Sequence, residues 1–226
     1  NQGFTLPDAF DVLARYAAGK VYVVNVLDPK KHKTDITDEV LTQDSSTLMA
    51  KTAKAGLLNI SIQSSSQTLQ EGNDYSVNLQ TGEITLKAIH EGLKATYAYA
   101  DPEKVTEADI KGGIDSATGK RKGFELVRDG FNLYGADAKI LICPEFDKTA
   151  SCAAALSTLA EQLKAVAYVQ LPKGTSLSKA IQGRGSLGTL NASASSERVR
   201  HFFPYALGSS NTLESLAVHA AGLRMK

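Results

Sequence analysis

Two glycine-containing segments have compositions found in phosphate-binding loops. Residues 183–188 spell Gly-Arg-Gly-Ser-Leu-Gly, which matches the G-x-G-x-x-G pattern of dinucleotide sites. Such a site needs a strand before the motif and a helix after it, so that the helix N-terminus faces the pyrophosphate. Here a predicted helix precedes the motif and residues 190–196 predict no helix. Gly119-Lys120 does not form a Walker motif, because the upstream glycines are wrongly spaced and Arg121 replaces the hydroxyl residue. We therefore predict loops at both places and no cofactor.

The two cysteines are predicted to be structural thiols. Cys143 lies in an apolar strand and Cys152 in the apolar stripe of a helix, and no adjacent group would lower the pKa of either thiol. Buried thiols of this kind behave as small apolar side chains, so a redox pair is the less favoured alternative. Two cysteines form no disulfide framework, which fits a protein made in a reducing cytoplasm.

Imidazoles and hydroxyls are present but are not grouped for catalysis or metal binding. The histidines are scattered singly, without Cys, Asp or Glu at metal-ligand spacing; they are His32, His90, His201 and His219. The serines of residues 64–66 and 193–196 lack a nucleophile elbow or a partnered base. The sequence therefore predicts no catalytic, cofactor-binding or metal-binding residues, and a protein that is not an enzyme.

The polar end of one predicted strand is the most interesting candidate for a ligand site. Glu145 and Asp147 follow the apolar strand that ends at Cys143 and Pro144. Ligands of α/β folds bind at the carboxyl ends of parallel strands, which would give these two carboxylates a role. The favoured interpretation is that both side chains cap the helix that follows.

Two basic runs interrupt the predicted loops. They are Lys30-Lys31-His32-Lys33 and Lys120-Arg121-Lys122. Such runs are usually solvated. In a protein that assembles with copies of itself, they could instead meet acidic patches on a neighbour, where charge complementarity sets the register.

Composition and charge exclude several classes of protein. The chain of 226 residues is 42% hydrophobic and 22% charged, as expected for a globular protein with a substantial core. A net charge of +1 gives no bulk attraction to nucleic acid or membrane, so neither is predicted as a partner. No apolar stretch is long enough to span a membrane and no signal peptide is visible.

The elements that must position these residues follow an α/β pattern at both ends of the chain. The central unit is a helix over Phe124–Tyr134, with Phe124, Val127, Phe131 and Tyr134 on one side, closed by Gly135 and followed by a buried strand over Lys139–Cys143. The other predicted elements are a helix after Thr5 with a stripe of Phe10, Leu13, Ala14 and Ala17, a buried strand Val21–Val26, a short turn or helix at Thr106–Asp109, a helix Ala150–Ala165, a strand Val166–Leu171, a helix Thr175–Gln182, a strand Val199–Phe203, and a last helix capped by Asn211 with Leu213, Leu216, Ala217, Ala220 and Leu223 on one face. This order predicts an α/β fold with a mainly parallel sheet flanked by helices.

Residues 27–102 have a different pattern and predict an inserted antiparallel β subdomain. Residues 30–54 show no reliable period, but four short β-type runs follow, separated by turn residues; they are Leu57–Ile62, Tyr75–Leu79, Glu83–Lys87 and Lys94–Tyr99. Because the α/β pattern resumes at Glu103, we predict a discontinuous α/β core domain of residues 1–26 and 103–226 around this insertion.

One stretch closely resembles the contractile tail sheath proteins of myovirus-type phages. It comprises Ala-Asp-Ile-Lys-Gly-Gly-Ile-Asp at 108–115, Thr-Gly-Lys at 118–120 and Gly-Phe-Glu-Leu-Val at 123–127. Residues 5–10 ahead of 21–26 look like the first helix and strand of that family, and residues 213–224 look like its helix after the last core strand. The resemblance covers most of the chain in the same order.

The resemblance implies a structural subunit without catalytic residues. Sheath subunits polymerise helically around a tail tube and contract to drive it through the bacterial envelope. The implied partners are other copies of the sheath protein, the tail tube, and the baseplate and tail terminator proteins. The implied location is the virion tail, after assembly in the host cytoplasm. A bacterial tailocin or related device is an alternative, and so is an α/β enzyme or small-molecule-binding module.

The chain is predicted to be a central fragment of such a subunit. Asn1 is not a starting Met, and the chain stops at Lys226, before the C-terminal region that carries the family's inter-subunit arms. We therefore expect the chain to be monomeric in solution and unable to form tubes.

Overall fold

A computed structural model describes residues 5–16, 19–65, 67–182, 196–208 and 211–225. The helices are α1 Leu6–Ala14, α2 Glu107–Lys111, α3 Gly130–Tyr134, α4 Ala150–Leu163, α5 Leu177–Gln182 and α6 Leu216–Met225, with 3₁₀ helices at Pro102–Lys104 and Gly123–Asp129. The strands are β1 Lys33–Val40, β2 Met49–Lys51, β3 Leu57–Gln63, β4 Thr68–Leu69, β5 Tyr75–Asn78, β6 Glu83–Leu86, β7 Lys94–Ala100, β8 Gly113–Ile114, β9 Arg121–Lys122, β10 Ile140–Ile142, β11 Val166–Gln170, β12 Val199–Phe202, β13 Ala206–Leu207 and β14 Leu213–Glu214.

These elements form two compact units. The β-rich unit is Leu27–Val105, and the α/β unit combines the described residues of Phe4–Val26 and Thr106–Lys226. The fold is therefore of mixed type, with parallel and antiparallel sheets. Whether each unit is an independently folding domain with the predicted boundaries, 27–102 within 1–26 and 103–226, stays a prediction.

The β-rich unit contains two antiparallel sheets around one apolar core. The first has the order β1-β7-β3-β4 and the second the order β2-β6-β5. The core contains Leu41, Ala50, Leu57, Ile62, Leu69, Tyr75, Ile84, Leu86, Leu93, Ala95, Tyr97 and Tyr99. All four predicted runs are strands here, and their antiparallel pairing is confirmed.

The first strand of this unit was not predicted. β1 lies within the polar segment of residues 30–54, where no period was found. A β-bulge between Ile36 and Glu39, with Asp38 at a φ of 54°, breaks the alternation of side chains along the strand. One extra residue in a strand shifts every later side chain to the other face, so a period-2 search fails.

The α/β unit is built on a three-stranded parallel sheet. Its order is β10-β11-β12, with Ile140 opposite Val166 and Ala167 opposite Val199. α4 connects β10 to β11 as predicted, with Cys152, Leu156 and Leu159 buried. Because most strands of the two units pair antiparallel, the prediction of a mainly parallel sheet is not confirmed.

The prediction of a buried strand at Val21–Val26 was wrong. None of these residues lies in a strand, and Val21 and Val23 are 41% and 45% exposed. Alternate side chains are half-buried, which shows that the apolar run lies along the surface of the unit. A run of valines can be β-type in composition without being paired.

The predicted faces of the first and last helices were right only in part, at Leu13 and at Ala217. α1 buries Ala9, Val12 and Leu13, while Phe10 and Ala14 are exposed and Ala17 lies outside the described residues. The last helix begins at Leu216 because Leu213 and Glu214 pair with β13 instead. It buries its small residues Ala217, Val218, Ala221 and Gly222, whereas Leu223 is exposed.

Small residues are buried in α6 where α1 and the residues just after it pack closely against this helix. A Cβ at Gly222 would lie 2.4 Å from Cδ2 of Tyr16. A large side chain does not fit at Gly222, so apolar size alone is a poor guide to which side of α6 is buried.

The predicted central helix is divided into two pieces. Gly123–Asp129 is a 3₁₀ helix, and α3 follows it directly and ends at Gly135 in the left-handed conformation, as predicted. Phe124 and Val127 are half-buried, but Phe131 and Tyr134 are exposed.

Candidate functional site

Asp147 lies buried at the carboxyl end of the parallel sheet. Its carboxylate accepts a hydrogen bond of 2.8 Å from the backbone N–H of Gln170, at the end of β11. Burial, with a smaller contribution from Glu145, raises the pKa of Asp147 to about 7. The carboxylate of Asp147 lies at the edge of the sheet where the sequence predicted polar side chains. The favoured interpretation, that Asp147 caps the next helix, was wrong. Thr149 does so, because its hydroxyl accepts the N–H of Cys152.

Glu145 lies at the rim of the same edge and is neutralised by two lysines. Its carboxylate is 2.9 Å from Nζ of Lys148 and 3.6 Å from Nζ of Lys173. Burial raises the pKa of Glu145, but these ammonium groups outweigh burial and hold it below its usual value. Glu145 therefore does not cap the helix either, and its charge is already balanced within the chain.

An apolar groove opens beside these carboxylates. It has a volume of about 260 Å³ and is lined mainly by Pro172, Phe203, Pro204, Tyr205 and Leu213. Nζ of Lys173 stands over the ring of Tyr205, 5.2 Å from its centroid. The groove therefore lies between the residues that follow β11, the residues that follow β12, and β14.

Gln170 holds the walls of this groove together. Its Nε2 donates to the carbonyls of Phe202 at 3.0 Å and Pro204 at 3.2 Å. Its Oε1 accepts from the hydroxyl of Ser215 at 3.3 Å and from the N–H of Ala217 at 3.2 Å. A buried amide with both ends bonded fixes these segments relative to one another. The sequence showed only a polar residue at the end of an apolar strand.

The two thiols are buried. Burial raises the pKa of Cys143 well above its usual value and also raises the pKa of Cys152. Both are free rather than linked by a disulfide. Neither has the electropositive, accessible surroundings of a reactive cysteine.

One histidine belongs to a network that the sequence did not predict. Arg15 donates two hydrogen bonds of 2.8 Å to the carboxylate of Glu214. The same carboxylate is 2.8 Å from Nε2 of His219, whose Nδ1 is 2.8 Å from the hydroxyl of Tyr16. The guanidinium of Arg15, followed by His219, lowers the pKa of Glu214. The network joins the residues just after α1 to β14 and α6. Its partners lie 199 and 203 residues apart in sequence, so no local pattern could reveal it.

The basic run at 120–122 is largely neutralised within the chain. Arg121 forms an ion pair with Asp129, and Nζ of Lys122 lies 2.9 Å from Asp115. Lys122 is the main cause of a lowered pKa at Asp115. In the other run, His32 is buried, and Lys33 lies 3.7 Å from Asp35. Within the described residues, ion pairs therefore engage Lys33, Arg121 and Lys122 of these two runs.

The remaining candidates add no grouped chemistry. Residues 183–188 and 193–195 lie outside the described residues. Gly119-Lys120 lies in the turn of the β8–β9 hairpin, where Gly119 donates its N–H to the carbonyl of Asp115. Among the described residues no three His, Cys, Asp or Glu side chains are placed to hold a metal ion. Over the same residues, no helix has the length and apolarity needed to cross a bilayer.

An exposed apolar surface lies at the other end of the parallel sheet. Phe131, Leu133 and Tyr134 of α3 are 59%, 68% and 60% exposed. Residues 135–139 connect α3 directly to β10, which places this surface at the amino end of the strands. The ring of Tyr22 stacks on Tyr134 with centroids 4.9 Å apart, and this contact supports the helix from one side.

Comparison with known proteins identifies a similar phage protein. The chain is 42% identical to the tail sheath protein of Burkholderia phage BcepMu, over 99% of this chain and 50% of that protein. The chain thus spans about half the length of the curated relative it matches. No family model matches the chain. The resemblance to tail sheath proteins inferred from residues 108–127 is confirmed, and the similarity supports a structural role in a phage tail sheath.

Proposed function

We propose that this chain is the central part of a contractile tail sheath subunit, which polymerises helically around a tail tube and contracts to drive the tube through the bacterial envelope. The observation that carries the proposal is the 42% identity to a tail sheath protein over almost the whole chain. The proposed partners are other copies of the subunit, the tail tube, and the baseplate and terminator proteins. The proposed location is the virion tail, after assembly in the host cytoplasm.

Charged side chains of the described residues form ion pairs within the chain, which is consistent with a protein that functions through contacts between subunits. Glu145 is balanced by two lysines, and the Arg15–Glu214–His219 network ties helices together. Groups used in this way stabilise a rigid unit that moves as one body. The free energy of contraction would then come from contacts between subunits that break and re-form, without covalent chemistry.

Assembly of the full-length parent protein tests the proposal. We expect the purified parent, the longer protein that contains this chain, to form tubes visible by negative-stain electron microscopy. Each tube should be a helical array of identical subunits. The 226-residue chain is expected to remain monomeric in multi-angle light scattering, because it spans half of its relative. A parent that stays monomeric under all assembly conditions would refute the proposal.

A second candidate function is a small-molecule-binding module, and the groove beside Asp147 is the observation in its favour. A thermal-shift screen against nucleotides and common metabolites tests it. A ligand-dependent rise in melting temperature that Glu145→Gln abolishes and Asp137→Asn does not would favour binding over the sheath function. With the sheath function, no compound in the screen shifts the wild-type protein.

A further inference from the structure

We propose that the β-bulge in β1 prevents the open edge of the first sheet of the β-rich unit from pairing with a strand of a second copy of this chain. The bulge lies between Ile36 and Glu39. This role goes beyond the proposed sheath function and does not depend on it.

β1 is the longest edge strand of the β-rich unit. It has 8 residues, and among the strands that the structure describes it pairs only with β7. The other edge strands of this unit are shorter, with 2 residues in β4, 3 in β2 and 4 in β5. A long strand with one unpaired side is a template to which another chain can add a strand. Of the described edges in this unit, β1 therefore most needs protection.

The pairing with β7 shows which backbone groups of β1 face the open edge. The carbonyl of His32 accepts the N–H of Asp101, and Lys33 lies opposite Ala100. Because backbone groups alternate in direction along an antiparallel strand, the residues at odd positions from 33 to 37 turn their N–H and carbonyl groups away from β7. An added strand would have to bond to these residues.

The bulge ends this row of backbone groups. Because the register shifts by one residue between Ile36 and Glu39, Thr37 and Asp38 together lie opposite Thr96. Asp38 has a φ of 54°, in the left-handed region. A bulge of this kind bends the strand and increases its twist, so the partners of an added strand are no longer in register beyond Thr37.

The packing of the core does not require the bulge. The less exposed side chains of this segment are Thr34 and Ile36 before the bulge, and Glu39 and Leu41 after it. Without Asp38, these four side chains would lie at alternate positions of a regular strand, and the pairing with β7 would be in register on both sides. A regular strand would therefore bury the same side chains, so their burial does not explain the bulge.

Hydrogen bonds from two directions hold the bulge in place. The N–H of Asp38 donates to the hydroxyl of Thr96 on β7 at 3.2 Å. The carboxylate of Glu39 accepts the N–H of Ala53 at 2.8 Å and also accepts the hydroxyl of Tyr97. Because its partners lie both on β7 and on the segment after β2, the bulge is a fixed feature of this edge.

Charged side chains are the alternative form of protection at this edge. Lys33 and Asp35 are both exposed there, with Nζ of the lysine 3.7 Å from the carboxylate. Because the two charges are opposite and close together, they repel an incoming strand less than like charges would. We therefore assign the main protection to the bulge.

Deletion of Asp38 from the 226-residue chain tests this role. We expect the deletion variant to keep the circular dichroism spectrum of the wild-type chain and to self-associate. Association should begin at a concentration at least about tenfold below any at which the wild-type chain associates. Sedimentation velocity over a wide concentration range measures it. A deletion variant that is folded and monomeric at every concentration would overturn the proposal.

A proline shows whether the association uses the β1 edge. Asp35→Pro removes a backbone N–H that faces the open edge, without removing a hydrogen bond to β7. Added to the deletion, it is expected to restore the monomer. Asp35→Ala, which keeps this N–H, is the matched control and is expected to leave the association unchanged. If both substitutions have the same effect, the association does not require the edge and the proposal is wrong.

A variant that retains the bulge provides a test even if the deletion prevents folding. Lys33→Thr with Asp35→Thr removes both edge charges, and we expect this variant to be folded and monomeric. Its self-association would show that the charges protect the edge, and would overturn the proposal. So would self-association of the wild-type chain that Asp35→Pro abolishes. None of these measurements depends on assembly of a sheath, so their outcome and that of the proposed function are separate.

Discussion

At the residue scale, one side chain joins three segments at the carboxyl end of the parallel sheet. Gln170 bonds β12, the segment at Pro204 and the start of α6 through four hydrogen bonds. The side chain is 1% exposed, so water cannot replace a lost partner. Removing the amide leaves buried donors and acceptors unsatisfied, which is more costly than losing the net strength of the bonds.

We predict that Gln170→Leu lowers the free energy of unfolding by roughly 2–4 kcal/mol, because its bonding partners remain buried and unpaired. Urea denaturation followed by circular dichroism measures the change. The exposed substitution Gln67→Leu serves as the control and is expected to have an effect within about 0.5 kcal/mol. Equal stability of the two variants would show that the segments around Gln170 are held by other contacts.

Asp147 is the second residue with a measurable role. In the unfolded chain its carboxyl group titrates near pH 4, whereas burial raises its pKa to about 7 in the folded protein. Between these values the unfolded state releases its proton first. The free energy of unfolding therefore falls as pH rises from about 4 to about 7, and this contribution is constant above that range.

We predict that Asp147→Asn removes this decline and raises stability at pH 8 by up to about 4 kcal/mol, since the amide oxygen still accepts from Gln170. Burial raises the pKa of Glu145, but Lys148 and Lys173 outweigh it and hold this pKa below its usual value. Tyr205, whose pKa burial raises to about 12, titrates above this range. Urea unfolding at pH 4, 6 and 8 measures the slope. The exposed Asp137→Asn is the control, and an unchanged slope in Asp147→Asn would contradict the assignment.

At the element scale, the β8–β9 hairpin is held shut at its base by close backbone contacts. A Cβ at Gly112, whose φ is 63°, would lie 1.9 Å from the carbonyl oxygen of Lys122. At the turn, Gly119 has a similar φ of 67° but open space around its Cα. The two glycines therefore share a positive φ, but Gly112 has a ψ of −137°, outside the left-handed helical region, and a much closer neighbouring chain.

This pair gives a matched test of the hairpin. Gly119→Ala is expected to lower the free energy of unfolding by about 1–2 kcal/mol, the cost of the left-handed conformation. Gly112→Ala adds a clash with backbone that cannot move aside, so we expect a loss at least about 2 kcal/mol larger. Thermal and urea unfolding measure both. Equal losses would show that the base of the hairpin separates easily.

Elements with a strong local signal could be predicted from the sequence. β10 and β11 are short apolar runs ended by prolines or turns, β12 lies just ahead of Pro204, and α4 has a regular stripe. β1 was missed because its bulge breaks the alternation, and Val21–Val26 was mistaken for a strand because valine content does not reveal a pairing partner. The faces of α1 and α6 depend on how closely the two helices approach, which no local pattern contains.

The candidate site could be predicted only in outline. The polar strand end at Glu145 and Asp147 was found from the rule for parallel sheets. The side chains that complete it, Lys173 and Tyr205, follow other strands and meet there only in the folded chain. The exposure of Phe131 and Tyr134 was also missed, because a helical apolar stripe is the same whether it faces a core or a partner.

At the scale of the whole molecule, the β-rich unit begins and ends at neighbouring positions. Lys33 of its first strand pairs with Ala100 of its last, and the N–H of Asp101 donates to the carbonyl of His32 at 2.9 Å. Segments with adjacent ends can be inserted into another domain without disturbing it. The unit also has an apolar core made only of its own residues.

We therefore predict that residues 27–105 fold alone, with a cooperative urea transition and a β-type circular dichroism spectrum.

The second test replaces residues 27–105 with a short Gly-Ser linker, which needs to span only a short distance. We expect this shortened chain to keep a helical signal and its own cooperative transition, because α1 and α6 pack against the parallel sheet. Limited proteolysis of the intact chain should then cut first near the two junctions. If neither piece unfolds cooperatively while the intact chain does, the two units form one cooperative structure, and the division into domains is wrong.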